Sequence, residues 1–304
     1  MKNKIYPILI ILSGVFWASA CIFVDYLSKH TPFTSFHLTA IRMTVAAILL
    51  NTLLIVKGKG LSAYRLSLRS WIIVAASGIF SVFGMSSLYF TSMIQTSAAV
   101  AAILLYTSPI FVMVMSLIFF KERLTAKKIV AFLFAIVGCA LVSGIMSGAK
   151  ASPAGIAIGL AGGFAYSLYG ILTTFFLKEN KDPLVFTALS FLFASATALL
   201  TSNPGVIVRF IPTAPSPALL ILICVLLSLC TAVIPFLLYT VGLKGVKPDA
   251  ASILAFSDPL AACLFGTVIL GQPMDSFGVI GIACMLAAIV VLNLPHRKAS
   301  ASPK

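Results

Sequence analysis

Asp258 stands immediately before Pro259, about ten residues into an apolar run, and the two together could do chemistry. A charged group at the bilayer centre costs about 2.5–3.5 kcal/mol on insertion scales, so it asks for a partner or a task. Proline removes a backbone N–H and frees an upstream carbonyl. An acid beside such a break could hold a substrate ammonium, carry a coupling proton or serve a structural ion pair. Arg42 is the other charge inside an apolar run. It could bind a carboxylate, snorkel outward, or pair with Asp258 or Asp25. Trp17, Tyr89, Tyr106, Tyr166, Tyr169, Tyr239 and Phe256 lie in or near such runs as well. A buried Tyr or Trp needs a partner for its polar atom, which a wet cavity supplies and a packed core also can. These nine residues form the candidate substrate site. Pro109, Pro259 and Pro235 are the candidate helix breaks. Pro235 has Met85 as its counterpart 150 positions earlier, so its kink is expected in one half only.

Other chemistry has little to work with. The three histidines are scattered; His37 reads as an interfacial residue and Asp25 as a wet one at a span end. The six cysteines lie in apolar runs without metal-ligand spacing. No GxxxxGK[ST] motif occurs. The reading is therefore no enzyme, no metal, no cofactor and no ATP-driven step within this chain.

The elements that must position these residues follow from composition. Of 304 residues, 61% are hydrophobic and 9% charged, too apolar for a globule that must wet its exterior. Lipid is the expected solvent. A span needs about 20 apolar residues. The chain offers ten runs, at roughly 5–27, 33–56, 71–93, 97–120, 126–146, 153–177, 184–202, 217–242, 248–270 and 276–294. The start, MKNK before an apolar run, imitates a signal peptide, but the run continues to Leu27 and reads as the first span.

Charge placement orients these spans. With a cytoplasmic N-terminus, the inner side receives Lys2, Lys4, Lys57, Lys59, Arg65, Arg69, Lys121, Arg123, Lys127, Lys128, Lys178, Lys181, Lys244, Lys247, Arg297, Lys298 and Lys304. The outer side receives only Lys29, Lys150 and Arg209. That asymmetry puts both termini in the cytoplasm. It accounts for the net charge of +14 without nucleic acid.

The chain also repeats itself. At an offset of 150, Tyr89 meets Tyr239, Ile103–Leu104 meet Ile253–Leu254, Tyr106 meets Phe256 and Pro109 meets Pro259. At 149, Gly14 meets Gly163 and Trp17 meets Tyr166. Five spans per copy is an odd number, so the second copy enters from the opposite side. Lys121, Arg123, Lys127 and Lys128 accordingly face Gly271, Pro273, Phe277 and Gly278. This is the expectation of two inverted-topology five-helix repeats, 1–148 and 149–304, in an all-α polytopic membrane protein. Gly155, Gly159 and Gly163 add a small-xxx-small ladder for close helix contact.

Lys121-Glu122-Arg123-Leu124-Thr125, following Pro109 and preceding a span with Gly138, resembles the end of an EamA-type domain of the drug/metabolite transporter superfamily. FWAS at 16–19 and Arg42 are similar to that family's first and second spans. The second copy departs at Gly271-Gln272-Pro273, where acid and base are gone. The resemblance implies ten helices and transport of small metabolites or drugs, often outward. The combined reading is a secondary transporter that exports an amino acid or related amphipathic solute around a midplane cavity in the cell membrane. Proton coupling and exchange are both open, as is the oligomeric state. The alternatives are an organic cation or drug exporter, and a non-transporting receptor or channel subunit.

Overall fold

In lipid every backbone N–H and C=O needs an internal partner. The chain meets that demand with helix and no strand among the described residues, which are 5–58, 63–96, 98–142, 152–179, 181–271 and 276–293 of a computed structural model. Lys2, Lys4, Lys59, Lys150, Gln272, Pro273, Arg297, Lys298 and Lys304 lie outside them.

The first half comprises α1 (Ile5–Ala18) and α2 (Ala20–His30), nearly continuous, then α3 (Ser35–Val56). Next come α4 (Leu68–Ala76), a π-helical stretch (Ser77–Phe83) and α5 (Gly84–Gln95) as one column. A broken pair, α6 (Ala98–Leu105) and α7 (Ser108–Phe120), precedes α8 (Ala126–Val142). The second half repeats the order: α9 (Pro153–Leu177), α10 (Pro183–Thr201) and a short α11 (Gly205–Phe210). Then come α12 (Pro217–Ser228), a π-helical stretch (Leu229–Val233) and α13 (Ile234–Gly242). A second broken pair, α14 (Pro248–Leu254) and α15 (Ser257–Val268), precedes α16 (Ser276–Asn293).

Among the described residues, eight segments are long and apolar enough to cross a membrane. They are Ile5–His30, Ser35–Val56, Leu68–Gln95, Val100–Phe120, Pro153–Leu177, Pro183–Thr201, Pro217–Gly242 and Pro248–Val268. Ala126–Val142 and Ser276–Leu292 are apolar but shorter. Pro235 follows a feature that both halves share. Both third columns carry a π-helical stretch, ending at the equivalent Phe83 and Val233. The extra residue per turn is accommodated with a proline two residues on in one half and with Met85 in the other, so proline is not its cause.

Equivalent helices meet each other. Thr44 and Ser195 hydroxyls lie 2.9 Å apart, and the Asn51 amide donates to Ala188 O at 3.2 Å. Seven residues forward on α3 is seven back on α10, so the second helices run antiparallel. The fifth helices meet where a Cβ on Gly138 would come 2.6 Å from Gly281 O.

The first helix of each half packs on the third of the other, with a reversal of size. On α9, Gly155 and Gly159 leave room for Gln95, Ser92 and Leu104. At the equivalent contact Tyr6 and Ile10 of α1 fill the room left by Gly245 and Gly242. The glycine ladder is thus an intramolecular contact.

The linkers segregate. Arg69 lies 3.8 Å from Glu179, Lys178 sits 4.1 Å over the Phe120 ring, and Lys247 pairs with Glu122 at 3.0 Å, so the four basic linkers are joined. The other linkers meet among themselves: the Phe33 and Phe210 rings are 5.4 Å apart, and Ser152 N donates to Gln95 O at 3.4 Å.

Gly14 and Gly163 press on the two helix breaks. A Cβ on Gly163 would lie 2.7 Å from Leu104 O and 2.9 Å from Thr107 Oγ1, and one on Gly14 would lie 2.7 Å from Asp258 N. Backbone atoms cannot swing aside, so Gly14→Ala and Gly163→Ala should each cost about 1–3 kcal/mol by overpacking. Gly162→Ala should be neutral or gain up to about 1 kcal/mol from helix propensity, because its nearest neighbour is 3.5 Å away. Thermal unfolding of purified protein in detergent checks this; equal losses for Gly162→Ala and Gly163→Ala would refute the clamp.

Candidate functional site

Pro109 and Pro259 lack the N–H that would serve the carbonyls of Leu105 and Ala255. Each chain tightens just upstream instead. Thr107 N donates to Leu104 O at 3.2 Å, and Thr107 Oγ1 donates to the same carbonyl at 2.6 Å. In the second half Phe256 N donates to Ile253 O at 3.1 Å, and Asp258 N donates to Ala255 O at 3.0 Å. The two breaks, Tyr106–Thr107 and Ala255–Phe256, fall within one residue of equivalent places, the second starting one position earlier in its repeat.

The breaks face each other. The Tyr106 hydroxyl donates to Asp258 Oδ2 at 3.0 Å, so the tyrosine of one half holds the acid of the other. The Tyr106 and Phe256 rings lie 5.5 Å apart. Trp17 lies 6.3 Å from Tyr166. Both are pairs of repeat-equivalent residues, and equivalents can touch only close to the axis that relates the two copies. Trp17 also meets Phe236 at 5.2 Å and Tyr239 at 5.6 Å. The Tyr89 and Tyr166 hydroxyls and the Cys139 thiol lie within electrostatic reach of Asp258.

The nine candidates separate into three groups. Asp258, Tyr106, Tyr166, Trp17 and Tyr89 are half-buried and gather around the facing breaks. Tyr169, Tyr239 and Phe256 are buried in the core. Tyr169 hydrogen-bonds Thr240 Oγ1 through its hydroxyl at 2.8 Å. Arg42 stands apart: it donates to Ser86 Oγ at 3.2 Å and lines a cavity of about 40 Å³ with Val24, Leu38 and Phe90. No ion pair joins Arg42 to Asp258 among the described residues. His37 closes a capping box with Thr34 at the start of α3, and Asp25 pairs with Lys29 at 2.7 Å.

Ser257 and Gly14 belong to the site although sequence reasoning gave them no role in it. Ser257 Oγ donates to Ile11 O at 2.9 Å, tying the second break to α1, and Gly14 admits that approach. Their signal was the offset itself, which aligns Thr107 with Ser257 and Gly163 with Gly14. A carboxylate held by one hydroxyl among aromatic faces can attract an amine. No group of three or more His, Cys, Asp or Glu that could hold a metal occurs among the described residues.

Known proteins align along nearly the whole chain. The model of the EamA-like transporter family matches residues 4–144 and 153–294. The uncharacterized transporter YwfM of Bacillus subtilis is 24% identical over 98% of this chain and 97% of its own. The uncharacterized transporter YxxF of the same organism is 26% identical over 92% and 87%. The uncharacterized inner membrane transporter YicL of Salmonella typhimurium is 23% identical over 95% of each. A solved crystal structure superposes at a TM-score of 0.75, covering 95% of this chain and 96% of its own at 20% identity, which shows the fold alone.

The geometry predicts which residues couple energetically. Tyr106→Phe and Asp258→Asn should be non-additive by about 0.5–3 kcal/mol. Arg42→Met and Asp258→Asn should add within about 0.5 kcal/mol. Double-mutant cycles on thermal or denaturant unfolding measure both; the reverse ranking would mean that Arg42, and not Tyr106, partners the acid.

Proposed function

Because the chain belongs to the EamA-like transporter family and is a multi-pass membrane transporter, we propose that it moves a small amphipathic metabolite, an amino acid or related solute, out of the cell by alternating access. The observation that carries this is the Tyr106–Asp258 bond between two broken helices, at the place where repeat equivalents touch. Alternating access needs a site both halves share and a way to release it to either side. An acid from one half, held by a hydroxyl from the other, offers a solute amine a place that is rebuilt as the halves rock. Asp258 also serves as the carrier of any coupling proton, with exchange as the uncoupled mode.

The architecture we propose is ten crossings in two inverted repeats, 1–148 and 149–304, with both termini in the cytoplasm. Antiparallel α3 and α10 support inversion. The joining of the four basic linkers at one end supports alternate crossings, and the positive-inside rule gives that end to the cytoplasm. A second reading, export of an organic cation, is favoured by one observation: Arg42 is engaged with Ser86 rather than placed beside Asp258, which leaves a solute carboxylate no cation there.

Counterflow in proteoliposomes, run with a panel of amino acids and amines, tests the mechanism. Asp258→Asn should abolish or uncouple counterflow while the protein still reaches the membrane; unchanged counterflow and pH dependence would remove Asp258 from it. Labelling of Arg123→Cys from the cytoplasmic side and Phe277→Cys from outside tests the inversion. Both positions are exposed. Reaction of both from one side would overturn the inverted arrangement.

A further inference from the structure

The basic end holds a cleft of about 550 Å³. Its walls include Glu122 and Lys128 of the α7–α8 region, Lys247 and Ala250 at the start of α14, and Leu254. Leu254 is the last residue of α14 before the break that leads to Asp258. The cleft therefore runs from the surface toward the facing breaks.

Ion pairs cross it. Lys128 Nζ bonds Asp249 Oδ2, joining α8 of the first half to α14 of the second. Asp249's side chain is 1% exposed and Lys128's is 13%. Glu122 Oε2 lies 3.0 Å from Lys247 Nζ and 3.7 Å from Lys128 Nζ. Those distances suit ion pairing, but neither lysine is aligned with this buried oxygen as a hydrogen-bond donor.

The positive-inside rule explains why lysines gather here. It does not explain why one of them is buried against an acid of the opposite repeat. Symmetry sharpens the point. The equivalents of Lys128, Asp249, Glu122 and Lys247 are Gly278, Ala99, Gln272 and Ser97. The tie has no charged counterpart in the other copy's positions.

We propose that Lys128 and Asp249 form the gate that closes the basic end of the transport path, with Glu122 and Lys247 as its rim. The proposal rests on the alternating-access reading. Opening this end draws the α7–α8 turn away from α14 and separates the charges. Parting a buried pair is costly while both ions stay dry, and the cost falls once water fills the cleft. The gate therefore resists partial opening and yields to full opening. Its absence from the equivalent positions biases the resting protein toward the state closed at this end.

The test is side-specific labelling of Leu254→Cys with a membrane-impermeant maleimide applied to inside-out vesicles, read above the native-cysteine background. Lys128→Met and Asp249→Asn should each raise the labelling rate several-fold, and the swap K128D/D249K should restore the parent rate. A rate unchanged in both single variants, or a swap that labels as fast as they do, overturns the gate. Lys247→Gln, whose parent side chain is 64% exposed, should speed labelling without threatening the fold. It decides the matter where the buried variants fail to fold, and an unchanged rate then overturns the gate. Labelling needs no solute, so its failure leaves the counterflow result standing. Counterflow absent from the parent protein, beside gate-dependent labelling, would fault the transport reading alone.

Discussion

A helix broken inside hydrocarbon leaves carbonyls without donors, and this chain is arranged around two such breaks. Lipid cannot satisfy them at that depth, so protein or a water-lined cavity must. Each turn tightens onto its own upstream carbonyls. The first helix of the opposite half then covers the break through a glycine, Gly163 over Thr107 and Gly14 over Ser257. Neither half can do this for itself. The need to cover broken backbone thus interlocks the repeats and draws Tyr106, Asp258, Trp17 and Tyr166 to the shared axis.

Duplication followed by divergence left a readable trace at these contacts. Where α9 presents Gly155 and Gly159, α1 presents Tyr6 and Ile10; where α5 presents Gln95 and Ser92, the end of α13 and the turn after it present Gly242 and Gly245. The bulky and the small partner are exchanged between the two contacts, and both stay close. Such compensated exchange matters in lipid, because helices there gain little from hydrophobic burial and associate by close packing. It also lets the two halves differ in sequence while keeping the same order of elements.

Much of this was legible in sequence, for definite reasons. The helices followed from apolar length, and the breaks from Pro109 and Pro259, because a missing N–H acts locally. The equivalence of Tyr106 with Phe256 and of Trp17 with Tyr166 followed from an offset that needs no structure to see, but their contact did not. The π-helical stretches were not legible; one has a proline after it and the other Met85, so residue type gives no common signal. Arg42 could not be assigned a partner, since Ser86 is a neutral residue on another helix and nothing in its type marks it. Asp249 was invisible for the opposite reason: in Lys247-Pro248-Asp249 it reads as an ordinary acid in a helix's first turn, and only the fold brings Lys128 to it.

Asymmetry is where this molecule departs from its own duplication, and the departures fall at two depths. At the axis, Asp258 has Ser108 as its equivalent, so the facing breaks hold one carboxyl group rather than two. Two facing carboxylates in a dry site would repel, and one would have to hold a proton. At the basic end, some of the charges pair across the repeats, Lys128 with Asp249 and Lys247 with Glu122. A perfectly symmetric carrier would favour neither orientation. On the inverted-repeat and gate readings proposed above, the rule that orients the chain would also supply the charges that close one end more firmly, so orientation in the membrane and preference among conformations would share a single origin.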